Sequence, residues 1–207
     1  MTEPTLIRLA QAAVQPWRNG GGNTRELFTW PANDRKDPAS AEAWQLRISV
    51  ADIAADGPFS AFPGVDRWFA VAKGEGVALQ FGAATHRVTP RSEPLAFDGA
   101  EAPGCQLLNG ATRDLNLMCR RDAGTGRMVT ARIAQSFTSS APVQALFTTA
   151  ALIVQAGGQA PLSVPAWCLM LHTGGDRRQW QVLSRQVAGP QASPAWWMDF
   201  QPHAQPA

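Results

Sequence analysis

The chain contains no tyrosine, and it holds only three histidines and three cysteines in 207 residues. The cysteines, Cys105, Cys119 and Cys168, are odd in number, far apart and without a CxxC pair. That excludes a disulfide framework and fits a reducing compartment, with each thiol acting as a small buried hydrophobe. The histidines, His86, His172 and His203, include no HxH pair, so no metal-ligand spacing is present. Charge is scarce at 16% of residues, with a net +2, and the arginines are scattered. This argues against nucleic acid and against a membrane surface as partners. The longest apolar run, LFTTAALIV at 146–154, is too short to span a bilayer. The N-terminus, MTEPTLIRLAQ, has no long apolar signal core. A cytoplasmic protein is expected.

What is present is a hydrophobic fraction of 45%, with eight tryptophans and nine phenylalanines, enough for a large packed core. Helical periodicity is rare. Short period-two segments recur between Gly, Pro, Asn and Asp clusters. In AWQLRISVADI (43–53), Trp44, Leu46, Ile48 and Val50 share one face, and Gln45, Arg47, Ser49 and Ala51 the other. DRWFAVAKGEGVALQF (66–81) reads as two strands joined at KGEG. CQLLNG and RDLNLMCRR surround an Asn-Gly turn. Some ten such strands without intervening helices predict an all-β antiparallel sandwich or barrel. The polar segment 31–43 reads as a surface loop between two strands. Residues 188–207, rich in Pro, Ala and Gln, read as a loose tail in which Trp196, Trp197 and Phe200 are the docking residues.

The glycine stretch PWRNGGGNTREL (16–27) is neither a P-loop nor a dinucleotide-binding turn. No lysine follows the glycines, and they precede a strand rather than join a strand to a helix. The expectation is a turn at a strand's open end, whose backbone N–H groups can approach a ligand closely.

That stretch resembles the signature of the HutD/Ves family of cupin-like proteins. WQLRISVADIAADGPFSAFPGVDRWFAVAKGEGVAL (44–79) and PLAFDGAEAPGCQLLNGATRDLNLMCRR (94–121) are similar to the family's next two segments. LIVQAGG and WCLMLHTGG fit its C-terminal half more weakly. The resemblance implies a bicupin, two antiparallel β-barrel or jelly-roll halves in one chain. The halves would be about 1–121 and 122–187, a single unit over 1–187, with the tail at 188–207. It also implies a regulatory or ligand-sensing role in histidine utilisation, with formylglutamate or urocanate as ligand types. The Ves branch implies a stress response instead. Cupin architecture points to pairing through sheet edges, hence a homodimer.

Many cupins hold a metal with closely spaced histidines and a glutamate. Glu75 and His86 do not complete such a set, so no metal and no cofactor is expected. If the aliphatic face of 43–53 packs on a second sheet, Arg47 and Ser49 point into the cup. Arg25, on the preceding strand, aligns with Leu27 and Thr29. The two guanidinium forks match a carboxylate. Asn19, Thr24 and Glu26 edge the site, and Asn116 supplies an amide from a neighbouring strand. Each has a plainer reading: Arg25 pairs with Glu26 or Asp114, Phe59 is core rather than wall, and Arg67 is a turn ion pair with Asp66. The expected function is non-enzymatic binding of a small carboxylate. The alternative is a metal-independent isomerase or amidohydrolase with Glu26 or Asp114 as general base.

Overall fold

The computed structural model describes residues 3–31, 44–186 and 194–204. Among these the first strands are β1 (Thr5–Arg8), β2 (Val14–Pro16), β3 (Gly22–Trp30), β4 (Leu46–Ile53), β5 (Gly57–Pro58) and β6 (Val65–Lys73). Then come β7 (Val77–Phe81), β8 (Ala84–Val88), β9 (Leu95–Asp98), β10 (Gly104–Leu107), β11 (Thr112–Arg120), β12 (Gly124–Thr130) and β13 (Ser136–Ser139). The last are β14 (Val143–Thr148), β15 (Leu152–Ala156), β16 (Leu162–Val164), β17 (Cys168–Thr173), β18 (Arg178–Arg185) and β19 (Ala195–Pro202). Helix is confined to two 3-10 turns among the described residues, Leu9–Gln11 and Gly99–Glu101. None of their helices is long and apolar enough to cross a membrane.

The chain divides into two compact units. One comprises Ala13–Gly126 and His203–Ala207. Its strands form a six-stranded sheet in the order β2-β3-β4-β11-β6-β9 and a four-stranded sheet in the order β5-β10-β7-β8. The two sheets share a core. Ala51, Ile53, Phe69 and Val71 come from the first, and Val77, Leu79, Val88 and Cys105 from the second. The pairing is antiparallel throughout, and β11 reaches back across the sequence to lie between β4 and β6. KGEG joins β6 to β7 as the alternation predicts, and Gly76 sits there at φ +116. A Cβ at Gly76 would come within 2.3 Å of the Val88 carbonyl oxygen, so only glycine fits the close crossing.

The other unit comprises Met1–Ala12 and Arg127–Pro202. It stacks a sheet ordered β1-β17-β14-β19-β12 with one ordered β13-β18-β15-β16. Leu146, Met170 and Trp197 from the first sheet meet Phe137, Val154, Trp180 and Val182 from the second. The loose tail expected over 188–207 is corrected here. Ala195–Pro202 is a strand paired with β14 inside the sheet, and Trp196, Trp197 and Phe200 are fully buried. The proline- and alanine-rich composition hid an apolar core, WWMDF, long enough to fill a sheet position. The 31–43 loop, apart from Pro31, lies outside the described residues.

The fold is all-β as expected, but the barrels are not. Each of the four sheets has two distinct edge strands, so none closes on itself. Period-two alternation reports which residues face inward. It carries no information on whether the end strands pair with each other, and that pairing is what separates sandwich from barrel.

Trp197 stacks on Phe137 with ring centroids 5.4 Å apart and an interplanar angle of 5°. Trp197→Ala leaves a cavity in a core with no solvent access. Urea unfolding should show a loss of about 3–5 kcal/mol, whereas a docked but dispensable tail would lose almost nothing.

Candidate functional site

Antiparallel pairing puts residues directly opposite one another on the same face of a sheet. On the six-stranded sheet, Met118 of β11 lies between Arg47 of β4 and Arg67 of β6. One row further, Asn116 lies between Ser49 and Phe69, and then Asp114 between Ala51 and Val71. The face carrying Ala51, Phe69 and Val71 is the face turned to the second sheet. This reverses the expectation that the aliphatic face of β4 does so. Leu46, Ile48 and Val50 are buried as well, so both faces of β4 are covered and alternation alone could not say which one lines the cup.

A cavity of about 500 Å³ opens at the Arg47 end of this face. Its polar lining includes Thr24, Arg47, Ser49, Arg67 and Asn116, with Arg18 as a third cation, and its apolar walls include Trp17, Phe59, Phe62, Phe69 and Met118. Arg67 dominates its electrostatics. It is 9% exposed, and its Nε and Nη2 both donate to Asn116 Oδ1, at 3.0 and 2.6 Å. Its guanidinium carbon lies 4.4 Å from the centroid of Phe59 and 5.4 Å from that of Phe97. Burial pushes its pKa down to about 10, and the charge of Arg47 pushes the same way. It therefore stays cationic at neutral pH. Among the described residues no carboxylate lies within ion-pair distance of it.

Arg67 is the residue that sequence reasoning missed. Asp66, its supposed partner, pairs with Arg121 instead. The missed signal lay in VDRWFAV, where alternation puts Arg67, Phe69 and Val71 on one face. A cation on an otherwise apolar face either has a partner or awaits one.

The other expected residues divide. Arg47 lines the cavity and donates from Nε to Glu26 at 3.2 Å. Ser49 and Asn116 line it as expected, Asn116 by way of Arg67. Thr24 lines it too and accepts a 2.8 Å hydrogen bond from the indole N–H of Trp17. Asn19 lies at the rim, where its Oδ1 accepts from the Gly21 N–H. Gly20 N–H goes to the Trp17 carbonyl. The turn therefore spends these two N–H groups on itself rather than on a ligand. Gly20 serves the positive φ of the turn, at +71, and Gly22 a close approach: a Cβ there would come within 2.3 Å of the Asp52 carbonyl oxygen and 3.1 Å of the Trp17 ring. Phe59 is both core and wall, 5.4 Å from Phe69 and beneath Arg67.

Arg25 is not at the cavity. A β-bulge between Glu26 and Phe28 breaks the alternation, so Thr29 lies beside Arg47 while Arg25 pairs across to Val50 on the opposite face. There it meets Asp52 at 2.5 Å, and Asp52 also accepts from Arg113 at 2.6 Å. Burial would raise the Asp52 carboxyl, but the hydrogen bonds from Arg113 and Arg25 outweigh it and hold it below the usual range.

Asp114 is fully buried, one row below Asn116, and does not line the cavity. Its Oδ2 accepts from Thr112 Oγ1 at 2.7 Å, while Oδ1 has no partner. Burial pushes its pKa up to about 8, against the smaller opposing effects of Thr112 and Arg67. The other carboxylate considered as a base, Glu26, is tied to Arg47. His86 is exposed beside Phe81, and His172 is buried against Asp176 in the other unit. Among the described residues no three His, Cys, Asp or Glu side chains gather as metal ligands.

A family model described as HutD matches residues 10–182. An uncharacterized 21.2 kDa protein in the hutC 3' region of Pseudomonas putida is 35% identical over 118 residues, 57% of this chain and 59% of that protein. Protein Ves of Citrobacter koseri is 38% identical over 110 residues, 53% of this chain and 54% of that protein. The chain thus spans little more than half the length of these relatives. Among solved structures, HutD from Pseudomonas fluorescens SBW25, in a formate condition, superposes with a TM-score of 0.77 at 23% identity, covering 97% of this chain and all of that one. A cupin 2 conserved barrel domain protein from Leptotrichia buccalis superposes at 0.56 with 7% identity, covering 97% and 98%. At these identities the structures establish a shared cupin-like fold.

The raised pKa of Asp114 has a definite sign. The folded chain holds this proton up to about pH 8, while the unfolded chain releases it near pH 4. The folded state binds more protons across that window, so this residue lowers stability as pH rises from about 4 to about 8. In melting curves Asp114→Asn should gain on the wild type progressively over the same interval. Parallel curves for the two proteins would mean that Asp114 is ionised in the fold.

Proposed function

The chain belongs to the HutD family, and we propose that the cavity beside Arg67 binds a small carboxylic acid without transforming it. One observation carries this reading: Arg67 is a buried cation whose hydrogen-bonding partner is a neutral amide. An uncompensated buried charge is costly, and a ligand carboxylate would remove the cost. Arg18 and the Glu26-paired Arg47 would add further guanidinium donors. Ser49 and Thr24 offer hydroxyls, and the aromatic walls would cover the rest of a small organic acid.

Formylglutamate- and urocanate-like acids are the ligand types we favour. The hutC-region relative supports a regulatory or accessory role in histidine utilisation, and the Ves relatives a stress response. Action in the cytoplasm fits three free, buried cysteines. We read the two units as open-sheet halves of a bicupin that pairs with a second copy through sheet edges.

The test is calorimetric titration of the metal-stripped protein with formylglutamate, urocanate, formate, glutamate and histidine, followed by NMR of the recovered acid. One acid should bind and return unchanged. Arg67→Ala should weaken it by about 30- to 1,000-fold, as expected for truncating one partner of a buried charge pair (about 2–4 kcal/mol). Silence towards all five acids, or binding untouched by the substitution, would sink the proposal. Consumption of the acid would favour an enzyme with Glu26 as base.

A further inference from the structure

Building on that reading, we propose that Asn116 is the specificity-determining residue of the cavity. As a positioning residue, it orients the Arg67 fork with a neutral oxygen and so reserves the positive charge for an anionic ligand.

The geometry is that of an ion pair with its anion left out. A guanidinium has five N–H donors along two usable edges. Asn116 Oδ1 takes the side edge alone, receiving both Nε and Nη2. Phe59 and Phe97 lie within cation–π distance of the same guanidinium. What remains is the end edge, Nη1 with the second hydrogen of Nη2, which matches the two oxygens of a carboxylate. An aspartate at 116 would occupy nearly the same volume and would neutralise the fork. Every acid near the row is diverted. Glu26 is bound to Arg47. Asp66 and Asp98 are bound to Arg121. Asp114, two residues along the same face, is engaged by Thr112 and retains its proton at neutral pH. The amide is thus a contact of Arg67 at which a single atom change decides whether that guanidinium is neutralised within the fold.

The distinguishing property is that affinity and stability should move in opposite directions. Wild type, Asn116→Asp and Asn116→Ser are compared at pH 7 by melting temperature and by titration with formate and with formylglutamate. Asn116→Asp supplies an internal counter-ion. Its melting temperature should rise by roughly 2–4 °C, while its affinity for whichever acid the wild type binds falls by about 30-fold or more. Asn116→Ser keeps a neutral oxygen but loses reach. It should melt lower than the wild type and still bind more tightly than Asn116→Asp. A purely structural amide would make both variants lose stability and affinity together, and that outcome overturns the inference. Wild-type affinity in Asn116→Asp overturns it too, while leaving the carboxylate reading intact. If the wild type binds neither acid, nor urocanate, glutamate or histidine, the carboxylate reading fails by itself. The melting order then decides the inference, because an Asn116→Asp protein no more stable than the wild type would mean that Arg67 lacks no counter-ion.

Discussion

The guanidinium of Arg67, buried without a carboxylate, is the constraint around which the rest of the larger unit is arranged. Removing such a charge from water costs several kcal/mol even after relaxation. Two hydrogen bonds donated to Asn116 Oδ1 recover part of that, at roughly 1.5–3 kcal/mol each for bonds involving a charged group. Nearby aromatic faces add about 0.5–2 kcal/mol. Phe59 contributes doubly, since the ring under Arg67 also packs on Phe69 in the core shared by both sheets. The polar site and the apolar core are therefore one structure, and a change on either side is felt by the other.

The arrangement depends on register. β11 must lie between β4 and β6 for Asn116 to reach Arg67 and for Ser49 to lie beside it. A one-residue slip would send every one of these side chains to the opposite face. Both faces of β4 and β11 are buried, so either misplacement would put arginine where Leu46, Ile48 and Val50 now pack. Two bulges adjust the alternation locally. One, at Leu27, separates Thr29 and Glu26 from Arg25. The other, beside Asp114, shifts β11 against β6. Bulges of this kind re-aim side chains near binding sites. Here the first keeps Arg25 out of the cavity and gives it to Asp52.

Much of this was legible in the sequence, and the failures have physical causes. Short alternating segments gave the all-β class, the KGEG hairpin and the shared face of Arg47 and Ser49, because side-chain direction in a strand follows directly from parity. Asn116 was readable for the same reason. Arg25 was misassigned because a bulge adds one residue and leaves no compositional trace. Arg67 was passed over because Asp66 is its neighbour in sequence, yet neighbours on a strand point to opposite faces and cannot pair as drawn. Proline and alanine flank β19 and give it the composition of a tail, although burial is decided by WWMDF. Open and closed sheets look alike in sequence, since closure is a property of two edges far apart in the chain.

The second unit holds a polar cluster whose arginine does have a carboxylate, and the contrast shows why the Arg67 cavity stands out. There His172 Nε2 lies 2.7 Å from Asp176, and Arg178 donates to the same carboxylate at 2.8 Å. The hydrogen bond from His172, followed by that from Arg178, holds Asp176 below the ordinary carboxylate range despite some burial. Gln144 donates to the Ala141 and Asp176 carbonyls and accepts from Trp180 Nε1 at 2.7 Å. Its cation, Arg178, has an anion in reach, and its amide is engaged at both ends. Similar residue types therefore do different work in the two units. In one, arginine and carboxylate pair directly, and what is left without a partner is a neutral-capable ring nitrogen, His172 Nδ1. In the other, the amide takes the position a carboxylate would fill, and an electrostatic demand is left open toward a cavity. A functional site is marked here by the partner that the fold withholds, more than by the presence of charged residues.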